Sequence, residues 1–141
     1  MISFLLSACL FAADQVCKHN IERQADPNKE LLGGEIQVTR YHNRGVFLSF
    51  FSGKERLVKV LSSLSFGLLL VLGVLARTRL CRVGLALLAG GGLSNQTDRY
   101  RKGYVVDYFS FRQIPQVVFN LGDMGIFLGA LLALTGFSTE K

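Results

Sequence analysis

No part of this 141-residue chain sets basic residues along one helix face or interleaves them with aromatics, so its formal charge of +6 carries no nucleic-acid signature. Its three cysteines, Cys9, Cys17 and Cys81, lack the paired spacing of a metal ligand set. Two of them sit in or beside apolar runs, which argues equally against a disulfide framework. They read as small packing residues. Histidine is scarce: His19 and His42 both lie in a polar segment and read as surface residues, and the last apolar run has none. With no clustered ligands, neither a metal nor any other cofactor is expected. Basic residues are also missing ahead of the first apolar run, which disfavours a cleaved secretory leader.

Apolar sequence is what the chain has in plenty. Half of its residues are hydrophobic and its mean hydropathy is +0.34. That is too apolar for an ordinary soluble domain and suits one membrane domain over residues 1–141, with anionic lipid as the counterpart of the positive charge. Four spans are predicted near 1–17, 57–76, 80–97 and 117–137. The first is short for a span, and the second carries only Lys59, near its start, where a long side chain can snorkel to the headgroups. The third is rich in glycine and alanine, which let helices approach closely, so it is the predicted bundle centre. Arg77, Arg79 and Arg82 crowd the connection between the second and third spans and mark it as cytoplasmic. Both termini are then inside, and the two polar segments are extracytoplasmic. Arg99, Arg101, Lys102 and Arg112 count against that orientation.

From Lys18 to Arg56 the chain carries seven Lys/Arg and five Asp/Glu and has no long apolar run, so it faces water. Within it Glu35-Ile36-Gln37-Val38-Thr39-Arg40 alternates as a half-buried strand does, after a Gly33-Gly34 turn. Asn43-Arg44-Gly45 then leads into the aromatic patch Val46 to Phe51, and can be read either as a hairpin turn or as part of a groove. A small sheet is predicted from residues 35–41 with 46–50 and 104–109. The fold class is thus an all-α membrane protein, with four transmembrane helices and a small extracytoplasmic β element.

Two carboxylates stand out chemically. Asp107 lies among Val, Tyr and Phe, where an unpaired charge is expensive to desolvate, and Asp123 lies at the mouth of the last apolar run. Coming from two segments at one membrane edge, they form a candidate acid/base pair. With no Ser-His or Cys-His arrangement, peptide hydrolysis can run on one ionised carboxylate that takes a proton from water and one protonated carboxyl that polarises the carbonyl. Closely placed, the two would share a proton near neutrality. A plainer reading makes Asn120 and Asp123 a helix cap. Asp14 and Lys18, at i and i+4, are either an exposed ion pair at a helix end or part of the site. Asp98, beside Arg99 in a polar stretch, is expected in a turn as local support.

Five motifs, in order and spacing, resemble those of signal peptidase II, the lipoprotein signal peptidase. They are Asp14-Gln15-x-x-Lys18, Asn43-Arg44-Gly45, Gly91-Gly92-x-x-Asn95-x-x-Asp98-Arg99, Gly103-x-x-Val106-Asp107-Tyr108 and Phe119-Asn120-x-x-Asp123. The resemblance implies a four-helix membrane aspartic peptidase that removes signal peptides from lipid-modified prolipoproteins on the outer side of the bacterial cytoplasmic membrane. It implies Asp107 and Asp123 as the catalytic pair, with Asp14, Lys18, Asn43, Gly45, Asn95, Asp98, Arg99 and Asn120 around them. The chain departs from the usual pattern at Gln96-Thr97, Gly122 and Met124-Gly125. Readings from other classes are a non-catalytic scaffold or lipid-binding paralogue, and a small transporter, which would place its carboxylates at the bilayer midplane.

Overall fold

Four long helices and a three-stranded sheet make up the protein, seen here in a computed structural model that describes residues 2–45 and 53–138. Helix α1 is Ile2–Arg23, β1 is Lys29–Leu31, β2 is Ile36–Asn43, α2 is Glu55–Leu75, α3 is Arg79–Arg101, β3 is Val105–Phe111 and α4 is Leu121–Ser138. The sheet is antiparallel throughout, in the order β1-β2-β3.

Helix α3 is the hub, packing against α1, α2 and α4. Its small residues make this approach feasible. A methyl group added at Gly84 would meet the Ala133 backbone nitrogen and, at 2.6 Å, the Gly129 carbonyl of α4. One added at Gly90 would lie 2.6 Å from the Ser7 carbonyl of α1. Thr78 ties the bundle end at the α2–α3 connection: its hydroxyl accepts from Cys81 N (3.1 Å) as the α3 N-cap and donates to Gly136 O of α4 (3.3 Å).

Polarity is distributed inside out. Leu64, Val74 and Phe127 are 66 %, 86 % and 65 % exposed, whereas Asp14, Lys18 and Asn120 are 0 % exposed. An apolar exterior around a polar interior is the arrangement lipid selects and water does not. Two of the described helices are long and apolar enough to cross a membrane, Arg56–Leu75 and Leu121–Ser138. Helices α1 and α3 are as long, but carry the buried polar groups.

Several expectations need correction. The first helix runs past residue 17 to Arg23, because Asp14 and Lys18 are paired inside the bundle and give no reason to stop. The third continues to Arg101, so Asp98 and Arg99 are helical rather than in a turn. Gly103, at φ +82°, makes the turn into β3 instead. The last helix starts at Leu121, since residues before Asn120 are held to β3 by the Phe109–Phe119 bridge. Strand β1 was not foreseen, while β2 and β3 cover the predicted segments. Residues 46–50 lie outside the described residues.

The α3–α4 seam yields a stability prediction. Gly84→Ala should destabilise the detergent-solubilised protein by about 1–3 kcal/mol, as overpacking against backbone atoms does. Gly73→Ala on α2, where an added methyl meets nothing within 4 Å, should not lower the unfolding temperature. Equal melting of the two variants would contradict the close packing.

Candidate active site

The site grows from one buried cation. A lysine ammonium inside a bundle is tolerable only when paired and hydrogen-bonded. Lys18 Nζ lies 2.7 Å from Asp14 Oδ2 and 3.3 Å from Asp98 Oδ2, and donates to Ser94 Oγ (3.2 Å) and Asn95 Oδ1 (2.8 Å). Two carboxylates on one ammonium leave a negative excess, and Lys102 reaches the other Asp98 oxygen at 3.1 Å from the rim. Asp98 also accepts from Val106 N of β3 (3.2 Å), fastening that strand to α3. Of the two sequence readings of Asp14 and Lys18, the exposed ion pair is excluded: both side chains are fully buried.

Asn95 carries this order toward Asp123. With its Oδ1 committed to Lys18 and to Asn120 Nδ2 (3.1 Å), its amide nitrogen is turned to donate to Asp123 Oδ1 at 2.8 Å. Asn120 does two jobs. It caps α4 reciprocally with Asp123, accepting from Asp123 N at Oδ1 (2.8 Å) while its own N–H donates to Asp123 Oδ2 (3.1 Å). Its Nδ2 donates to Asp107 Oδ1 at 2.6 Å. The helix cap and the carboxylate pair are therefore one arrangement, bridged by a single asparagine.

Asp107 is 2 % exposed on β3. Asn43, from the end of β2, donates to its Oδ2 at 3.1 Å and accepts from Gly45 N at 3.0 Å. Arg99 donates to Gly45 O at 3.3 Å, which holds the end of the described loop beside the carboxylates. Burial first, and the neighbouring Asp123 charge second, push the Asp107 carboxyl up from 3.8 to about 7, against the opposing pull of Asn43, Asn120 and Lys18. Among the described residues, Arg99 Nε is buried without a hydrogen-bond partner.

All ten candidate residues converge on one end of the bundle. Three further contributors were not singled out from the sequence as site residues. Ser94 is fully buried and donates to Asp14 Oδ2 (2.6 Å). Gln15 donates to Ser94 Oγ at 2.9 Å. Tyr108 donates to Asp14 Oδ1 (3.1 Å) and accepts from Leu121 N (2.9 Å). Gln15 and Tyr108 stand within the motifs and Ser94 beside Asn95, which was the signal for them. The histidines stay outside: His42 stacks on Tyr104 at 4.1 Å and pairs with Glu22 at 2.7 Å. Among the described residues no group of His, Cys, Asp and Glu could hold a metal ion.

Comparison with known proteins gives the family. The model of signal peptidase (SPase) II matches residues 6–138. A lipoprotein signal peptidase of Caldicellulosiruptor bescii is 34% identical over 133 residues, covering 94% of this chain and 87% of the relative. One from Moorella thermoacetica is 36% identical over 132 residues, covering 91% and 87%. A solved bacterial membrane enzyme superposes with a TM-score of 0.87 at 23% identity, covering 99% of this chain and 92% of its own, and so shares the fold. Matched along nearly its whole length, the chain belongs to the signal peptidase II family.

Proposed function

We propose that this protein is a membrane aspartic endopeptidase that removes signal peptides from diacylglyceryl-modified prolipoproteins, with Asp107 and Asp123 activating water. Family membership supports the substrate class. The observation that carries the mechanism is the bridge: Asn120 donates to Asp107 while sharing a reciprocal cap with Asp123. Two carboxyl groups joined through one side chain, one of them with a proton affinity near neutrality, suit the sharing of a single proton. The ionised member takes a proton from water, and the protonated member donates to the scissile carbonyl. The Asn95 amide and the Asn43 amide hold the carboxylates in place through each transfer.

In this reading all four helices span the inner membrane of a bacterium. The arginine-rich α2–α3 connection is cytoplasmic, and the sheet and dyad lie at the outer surface. A membrane-anchored precursor then reaches the pair sideways from the bilayer. The site contains carboxylates at helix and strand ends rather than midway along a span, which favours hydrolysis over transport.

Purified protein incubated with a diacylglyceryl-modified precursor should release the signal peptide, as read by mass spectrometry. Asp107→Asn and Asp123→Asn are nearly isosteric and should each lower the rate by at least about 10²-fold. Because the pair acts as a unit, the double variant should be scarcely slower than either single one. Undiminished cleavage by the single variants would end the aspartic reading.

Stability should report the same carboxyl independently of turnover. Folding raises Asp107 from 3.8 to about 7, so between these values the folded chain holds a proton that the unfolded chain has released. Its contribution is fully present below the unfolded value and is lost as pH rises, by up to ~1.4 kcal/mol per pH unit. Asp107→Asn removes this loss. Thermal unfolding in detergent from about pH 4 to about pH 8 should show the variant gaining on the parent as pH rises. Parallel profiles would contradict the raised value.

A further inference from the structure

Asp107 and Asp123 stand on different elements, 16 positions apart, and something must fix β3 against the first turn of α4. Two ties do part of this, the Phe109–Phe119 backbone bridge just before the α4 cap and the Asn120 side chain. Asn120 belongs to the α4 cap and reaches Asp107 through one rotatable amide. Tyr108 is placed differently. It follows Asp107 on β3, so its side chain leaves the opposite face of the strand. There it packs with Ile21 and Val106, with Cys17 and Leu121 against them. Its hydroxyl ends between two elements, accepting from Leu121 N at 2.9 Å and donating to Asp14 Oδ1 at 3.1 Å.

Leu121 N is one of the free N–H groups that open a helix, and the cap pair occupies those of Asn120 and Asp123. The phenol takes Leu121 N, the first of the two helix donors between them. Its other bond ends on Asp14, whose second oxygen is held by Lys18 and Ser94. Burial, then the Asp14 charge, raises the Tyr108 hydroxyl well above its ordinary value, so it remains a donor at any working pH. One rigid ring thus ties three elements: β3 by its backbone, α4 by Leu121 and α1 by Asp14.

We propose that Tyr108 is a positioning residue for the carboxylate pair, its hydroxyl setting the separation of Asp107 and Asp123 by pinning the first turn of α4 to the strand that carries Asp107. The proposal rests on the aspartic reading above for its consequence in catalysis, but its geometry stands apart from turnover. The charged groups that bear on Asp107 are Asp123 of α4, Lys18 of α1 and Arg99 of α3. Tyr108 touches none of them directly. It acts on Asp107 by holding Asp123 near.

Tyr108→Phe keeps the ring and removes only the hydroxyl. The direct readout is the titration of the Asp107 carboxyl, followed by carbon NMR of aspartate-labelled protein in detergent and assigned by its loss in Asp107→Asn. With the Leu121 tie removed and the Phe109–Phe119 bridge kept, the first turn of α4 loosens, the Asp123 charge recedes and the Asp107 midpoint should fall below that of the unmodified protein. Ile21→Ala loosens the same packing cluster without touching the hydroxyl, and should leave the midpoint in place at a comparable loss of melting temperature. An unchanged or raised midpoint in Tyr108→Phe overturns the proposal, as does an equal fall in Ile21→Ala. With a lipidated precursor, Tyr108→Phe should lower kcat by about tenfold to a hundredfold with KM unchanged, the scale of a small misplacement of reacting groups. A raised KM with kcat preserved would also overturn it. Failure of the unmodified protein to cleave would refute the peptidase reading alone, because the titration is read without substrate.

Discussion

Burying the Lys18 ammonium is the constraint from which the rest of the polar interior follows. An ion of that kind taken out of water costs several kcal/mol unless its hydrogen-bonding capacity is met. Here it is met by Asp14 from its own helix and by Asp98, Ser94 and Asn95 from α3. Each partner is thereby oriented, and each passes its orientation on. Asp14 has an oxygen left for Tyr108, Asp98 accepts Val106 N on the oxygen it turns to Lys18, and Asn95 has an amide left for Asp123. The interaction that lets α1 pack on α3 also aims the donors at the carboxylates.

The opposition between a structural and a catalytic reading of Asn120 and Asp123 dissolves on the same grounds. A reciprocal cap fixes the backbone of the first α4 turn and spends one asparagine oxygen and one aspartate oxygen on N–H groups. The remaining asparagine nitrogen and aspartate oxygen then point away from the helix, toward Asp107 and Asn95. Capping is what makes the side chains rigid. A carboxylate held in this way loses little freedom when it acts, which is the kind of preorganisation that acid/base chemistry exploits.

Much of this was legible in the sequence, for identifiable reasons. Apolar length marked α2 and α4, and alternation over residues 35–40 marked β2. Motif spacing marked the residues that meet at the site. Strand β1 escaped because three exposed residues, Lys29, Glu30 and Leu31, have no alternation to read; they pair only because the chain turns back at Gly33 and Gly34, both at positive φ. The ends of α1 and α3 escaped because a hydropathy pattern stops where polar residues begin, whereas these helices continue wherever the polar residues find partners in each other. Asp98 was expected in a turn on composition. Its i, i+4 bond to Lys102 and its reach to Lys18 are helical geometry. Tyr108 escaped because its role depends on which face of a strand meets which helix end, a fact of tertiary structure.

The location of the polar cluster follows from two opposing demands. Lipid requires that the surfaces of α2 and α4 stay apolar, as Leu64, Val74 and Phe127 do, and that every buried polar group find a protein partner. Hydrolysis requires water. A network midway along the helices would satisfy the first demand and exclude water, whereas one at exposed loops would admit water but leave the carboxyl groups solvated and ionised. Placing Asp107 on a strand that closes over the helix ends, and Asp123 in the first turn of the helix beneath it, keeps both against the sheet at the edge of the apolar zone. There Asp107 is buried enough to hold a proton near neutrality. The small sheet is therefore part of the site: it carries one carboxylate and supplies Asn43 to hold it.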